Sequence, residues 1–214
     1  MYKLVSSLLL STSVLLSAPT FAQDSDALRT KLANIDSLHA TFTQQVTDIN
    51  DRVIQSGNGV FALAQPNQFY WHLTEPDESL IVADGTNLWI YNPFAEEVTV
   101  MDIAQAIDAS PMALLVHKDE QTWSQYNVTQ SVNPEPALQC FDINPKDLDA
   151  NVVKVSVCFA QDILTQFSLL DGQGNLSEFA LTQQRSVTQE EYSIFSFALP
   201  DNVDIDDQRL KQPQ

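Results

Sequence analysis

PNQFYWHLTEPDESLIVADGTNLWIYNPF, residues 66–94, decides the fold. It reads as three short strands joined by two turns. The strands carry Phe69, Trp71 and Leu73, then Leu80, Ile81 and Val82, then Leu88, Trp89, Ile90 and Tyr91. In the first turn, Glu75-Pro76-Asp77, the proline has no N–H for a ladder and the aspartate can cap locally. In the second, Asp84-Gly85 between apolar runs is a strong hairpin signal. A sheet with one face in water alternates apolar and polar residues. These strands are apolar on both faces, so something must cover each face or occupy one of them.

Working outward, LHATFTQQVTD (38–48) alternates and predicts a strand. The next strand, in NDRVIQSGNGVFALAQ (50–65), has Gly57 and Gly59 at bulge or bend positions. EEVTVM follows Phe94 as another. Upstream, Leu28, Leu32 and Ile35 form one helical stripe, with Asp24 or Ser25 as its cap. Downstream the period changes. Asp102 starts DIAQAID, with Gln105 placed for a capping box, and Ser110-Pro111 starts a second short helix whose stripe is Met112, Leu115 and Val116. The remainder reads as strands: Trp123–Val128, one around each cysteine, and a pair flanking Asp171–Asn175. EYSIFSFAL comes last, before a polar arm, VDIDDQRLKQPQ. The expected fold is mainly β (α+β): an incomplete antiparallel barrel of about ten or eleven strands with about three helices.

Residues 1–22 have the form of a secretory signal: Lys3, the apolar run Leu4–Leu16, and Thr20-Phe21-Ala22 before the cut. Gln23 follows, not a lipid-acceptor cysteine. The expectation is an exported protein cleaved after Ala22, with residues 23–214 as one domain. Twenty-eight acidic residues against ten basic ones leave a net charge of −18. Such a surface makes nucleic acid a poor partner, since its binding needs cationic neutralisation of phosphates, and fits either a basic protein partner or simply a well-solvated surface of a salt-adapted source. Cys140 and Cys158 are the only cysteines. An even count in an oxidising compartment predicts a structural disulfide. They do not form a C-x-x-C pair.

Catalytic signals are weak. No nucleophile elbow, zinc-protease helix, phosphate loop or dinucleotide fingerprint occurs. His39, His72 and His117 fall on separate elements. His39 and His72 could meet Asp84 at a metal, but ordinary hydrogen-bonded imidazoles are the simpler reading. Asp204, Asp206 and Asp207 begin like a calcium loop without its glycine and terminal glutamate. Glu75, Asp77 and Glu78 around Pro76 read as a solvated turn. No catalytic residue, metal or cofactor is expected. The apolar residues of the 66–94 sheet could be plain core, or they could line a cavity for an apolar ligand with the two short helices as lid. Periodicity does not separate a filled barrel from a hollow one.

Taken together, residues 66–94, LHATFTQQVTD, SPMALLV (110–116) and VDIDDQR (203–209) resemble, in order, the periplasmic outer-membrane lipoprotein carriers of the LolA family. The resemblance implies an incomplete barrel closed by helices over a hydrophobic cavity. The implied role is chaperoning triacylated lipoproteins from an inner-membrane ABC transporter to the outer-membrane receptor LolB, as a monomer and without making or breaking a bond. Phe69 corresponds to the family's phenylalanine for transporter and cargo contact. Trp71, Ile81, Trp89, Met112 and Leu115 are the implied cavity and lid residues. The family's pattern has an arginine before the proline of the central stretch, latching the lid. Here Gln65 stands there, shorter and uncharged, which implies a weaker latch. The alternatives are a lipid-sensing or regulatory module of the same fold, and a small secreted hydrolase using His39 or His72.

Overall fold

The computed structural model describes residues 21–103, 115, 120–132, 135, 137–147 and 150–210. Twelve strands form one open sheet: β1 (Ser37–Thr47), β2 (Val53–Ala64), β3 (Gln68–Glu75), β4 (Ser79–Asp84), β5 (Asn87–Asn92), β6 (Glu97–Asp102), β7 (Tyr126–Ser131), β8 (Leu138–Pro145), β9 (Val152–Ala160), β10 (Ile163–Asp171), β11 (Leu176–Arg185) and β12 (Asp204–Asp207). Their order is β12-β6-β5-β4-β3-β2-β1-β11-β10-β9-β8-β7. Two consecutive meanders, β1–β6 and β7–β11, are joined where β1 pairs with β11, with Phe42 opposite Leu181. All neighbours are antiparallel except β12, which runs parallel to β6. The expected open, barrel-like sheet is there, with one strand more than the upper expectation.

Alternation sorts the side chains onto two faces. Leu38, Ala40 and Phe42 of β1, Phe61 and Leu63 of β2, Val155, Val157 and Phe159 of β9 and Phe179 of β11 share the inner face and form the main core. Helix α1 (Phe21–Ala33) lies against this core through buried Leu28 and Leu32. Asp24 does not serve as the expected cap, since the helix starts earlier. Its carboxylate accepts the N–H of Gln130 on edge strand β7 at 3.0 Å. At the other end of α1, Lys31 donates to the carbonyl of Gln161 at 2.7 Å. A one-turn helix, α2 (Glu120–Trp123), precedes β7, so Trp123 is buried in a helix instead of opening a strand.

EYSIFSFAL is not a strand. Gln189–Phe195 forms a 3₁₀ turn. The Glu191 carboxylate accepts the Thr188 N–H at 2.9 Å, the reach-back half of a capping box. It also takes both arms of the Arg185 guanidinium, at 2.7 and 2.6 Å. These bonds, Arg185 first, hold the Glu191 carboxyl down at about 2. The local polar ties override the alternation. Phe195 of this turn is buried against Ala62, Ala64 and Val187 on the outer face.

Cys140 and Cys158 are directly opposed on β8 and β9 and are joined as a disulfide. The bridge spans 18 residues, a loop whose closure is worth about 3 kcal/mol in the chain-entropy account. The two short helices expected after Asp102 fall outside the described residues, apart from Ile103 and Leu115.

Candidate functional site: an aromatic inner face with a half-open edge

Six rings from five strands meet on the inner face. Phe42 stacks on Trp71 with centroids 4.0 Å apart, and Trp71 meets Phe179 edge-on at 5.0 Å. Phe167 stacks on Phe179 at 4.5 Å. Phe61 stands edge-on to Phe69 at 5.6 Å and lies 5.9 Å from Phe167. Gly59 makes the closest of these approaches feasible. A Cβ there would lie 2.0 Å from the His72 carbonyl and 2.7 Å from the Phe42 ring, so only glycine lets Phe42 lie across β2.

Burial is uneven across this surface. Phe42, Phe61, Phe167 and Phe179 are buried, whereas Phe69, Trp71 and Ile81 are half-buried. Trp71 and Ile81 are paired across β3 and β4, so they share a face, and Ile90 of β5 extends the row. The result is an apolar shelf continuous with the core. Leu115, from the SPMALLV segment, is 2% exposed and belongs to the same cluster. Met112 lies outside the described residues.

Trp89 does not join this shelf. Its register partners Val82 and Val100 put it on the outer face. There its indole N–H donates to Asp84 at 2.9 Å and its ring stacks on Phe197 at 5.2 Å. Burial opposes ionisation of Asp84, but the N–H donors of Asn87, Trp89 and Thr86 outweigh it and hold the carboxyl below the usual range. Asp84 is therefore a turn anchor. Sequence reasoning placed Phe42, Phe61, Phe167 and Phe179 in strands but not in the site. Alternation could have picked their face, yet not the β1–β11 pairing that makes them converge.

Gln65 sits at the end of β2 with its backbone N–H donating to Asp36 at 2.9 Å. Among the described residues, its side-chain Oε1 is the buried polar atom with no hydrogen-bond partner. Such an atom costs about 1–3 kcal/mol.

The other suggested centres resolve into ordinary contacts. His72 Nε2 is 2.8 Å from Glu78. Burial, then the nearby Arg185 cation, lowers the imidazole pKa of His39. His117 lies outside the described residues. Asp204, Asp206 and Asp207 are exposed on β12. Among the described residues no three His, Cys, Asp or Glu side chains converge as metal ligands. The outer face of β1 and β8–β11 holds an open groove of about 720 Å³ lined by Thr43, Gln45, Asp142, Ser156, Gln166 and Ser168. Its lining is mixed, with Val132, Phe167 and Phe179 beside these polar groups. No helix among the described residues is long and apolar enough to cross a membrane.

Residues 33–198 match the family model for the outer membrane lipoprotein carrier protein LolA. An outer-membrane lipoprotein carrier protein of Shewanella frigidimarina is 70% identical over 208 residues, covering 97% of this chain and 96% of that one. Its counterpart in Shewanella halifaxensis is 62% identical over 193 residues, 90% of each chain. An uncharacterized conserved protein from Thermus thermophilus shares the fold, with TM-score 0.50 at 12% identity over 87% of this chain and 99% of that one. The match spans the helix end, the open sheet and the aromatic shelf alike, and on it the chain belongs to the LolA family of outer membrane lipoprotein carrier proteins.

Proposed function

We propose that this chain is a periplasmic chaperone for lipoproteins. After removal of the signal at residues 1–22, residues 23–214 act as one monomeric carrier domain. It takes the acyl chains of triacylated lipoproteins released by an inner-membrane ABC transporter and delivers them to the outer-membrane receptor LolB. It is not an enzyme. Phe69 contacts transporter and cargo, Trp71 and Ile81 form the bed for the chains, and the segment carrying Met112 and Leu115 is the lid.

Leu115 is the observation that carries this reading: an apolar side chain from the SPMALLV segment is buried in the core cluster against which the half-buried Phe69 and Trp71 also pack. An acyl chain would take the same surface. The magnitudes fit a carrier. Moving one chain of about fourteen methylenes from lipid to water costs on the order of 11 kcal/mol, at about 0.8 per methylene. Lifting a leucine off its core costs about 1.5–3 kcal/mol. Uptake therefore remains favourable, while the displaced lid weakens net binding enough to permit release. Gln65 fits a loose latch, since its unpartnered Oε1 offers an acceptor but no charge.

The test is release of lipoproteins from spheroplasts. Wild type is expected to release them, and Phe69→Glu to fail while keeping its circular dichroism. Binding of acylated cargo without any release would instead indicate a sensing module. A melted Phe69→Glu protein would make Phe69 plain core. Gln65→Arg should tighten the closed form and slow uptake of a fluorescent apolar probe, and unchanged or faster uptake would remove the latch.

A further inference from the structure

The sheet has two terminal edges and, within it, stretches of strand that are paired on one side only. The terminal edges are guarded. Strand β12 carries Asp204, Asp206 and Asp207 on four residues, and charge on an edge discourages pairing. On β7, the Asp24 carboxylate of α1 takes the Gln130 N–H. One such stretch lies in β2. Its ladder to β1 begins at Val53, but its ladder to β3 begins only at Asn58. Gly57 is already under the Glu75 carbonyl, where a Cβ would stand 2.5 Å from that oxygen. Val53–Ser56 is therefore paired on one side only. In an antiparallel strand, alternate residues turn N–H and C=O away from a given neighbour.

The register to β1 shifts at Ile54, which stands between the Val46–Gln55 and Thr47–Val53 pairs. Val53-Ile54-Gln55-Ser56 contains no proline and no charge, the usual devices for blunting an edge. Val53 is 55% exposed, Ile54 57%, and Ile49 in the adjoining turn 76%. The hairpin is nonetheless stiff. Asp48 Oδ1 accepts the N–H groups of Asn50 and Arg52 at 2.9 and 3.0 Å, and its Oδ2 accepts Arg52 Nε at 2.9 Å. Ile49 sits close against Gly174 of the β10–β11 turn. A stiff, bare, apolar edge is a ready template for an added strand.

Charge selects the occupant. Asp48 and Asp51 lie in the hairpin turn, and Glu75, Asp77 and Glu78 lie where β3 stops. Arg52, the cation of that turn, is bound to Asp48. A second copy of this chain would bring the same carboxylates together, and an anionic bilayer would be repelled.

We propose that Val53–Ser56 is a strand-addition site for an extended, lysine- or arginine-rich segment of a protein partner, whose apolar side chains cover Val53 and Ile54. The inference does not rest on acyl binding. Val53 is ten residues along β2 from Leu63, the register partner of Phe69, or about 33 Å. The partner and an apolar ligand can bind together.

The experiment titrates the full chain with an eight-residue peptide of alternating lysine and valine, read by amide hydrogen exchange. The expected result is slowed exchange at Val53–Ser56, lost when the peptide backbone is N-methylated and weakened at least tenfold by Ile54→Lys. Absence of binding at millimolar peptide overturns the proposal, as does binding that leaves exchange at Val53–Ser56 unchanged. Sedimentation as a dimer that Ile54→Lys dissolves would also overturn it, in favour of pairing between copies. Apolar-probe binding, measured on the same samples, should be unchanged by peptide. Its loss without peptide would count against the carrier reading alone.

Discussion

Trp71 and Trp89 belong to one sheet, two strands apart, and face opposite ways. Trp71 is held by rings: Phe42, Phe179 and its neighbours on the inner face. Trp89 is tied by a hydrogen bond to Asp84, a stack on Phe197 and the Arg209 guanidinium 6.0 Å over its ring. The difference is chemical. Directional bonds on the outer face specify one covering segment, the chain's own C-terminal stretch. Non-directional apolar contact on the inner face accepts any surface of similar shape. The outer face is sealed by the chain's own tail, whereas the inner face is covered by packing alone.

Four substitutions sharpen or break that contrast. Phe42→Ala should have the largest effect, about 3–5 kcal/mol by denaturant unfolding, because it opens a cavity under Trp71. A loss below about 1 kcal/mol would mean the inner face repacks freely. Gly59→Ala should follow at about 1–3 kcal/mol, since the added methyl must displace backbone or the Phe42 ring. An unchanged midpoint would show that β2 and β3 can separate there at no cost. Trp89→Phe should cost about 1 kcal/mol, the worth of one hydrogen bond, and leave apolar-probe affinity as in wild type. Weaker probe binding would mean that the outer face also takes part in the site.

The smallest effect concerns the fastening of the outer cover. Glu191 has its folded value lowered from 4.5 to about 2. Its stabilising contribution is therefore complete above pH 4.5 and drains away as pH falls towards 2. Glu191→Gln should flatten that part of the acid profile, read as the difference between the two proteins in exchange protection over Tyr192–Phe197. Parallel profiles would show that the Arg185 contact does not hold the turn.

Much of this was legible in residues 66–94. The Asp84-Gly85 turn and the Pro76 break delimit β3, β4 and β5 because turn chemistry is local. The demand that both faces be covered was also legible, and both covers exist: the core with α1 and Leu115 inside, the 3₁₀ turn and Phe197 outside. The reading of Ser193, Phe195, Phe197 and Leu199 as a strand failed because alternation carries no information about Arg185 and Glu191, whose bonds bend that segment.

The order of turns, the alternation, the paired cysteines and the family pattern are properties of the chain read as a line, and they determined an open β-sheet carrier with a disulfide. Which tryptophan faces the shelf, and which remote phenylalanines complete it, was decided by register. Side-chain direction flips with each residue, so a strand's face depends on its partner. The partner that joins Phe42 to Phe179 lies more than a hundred residues away, in β11.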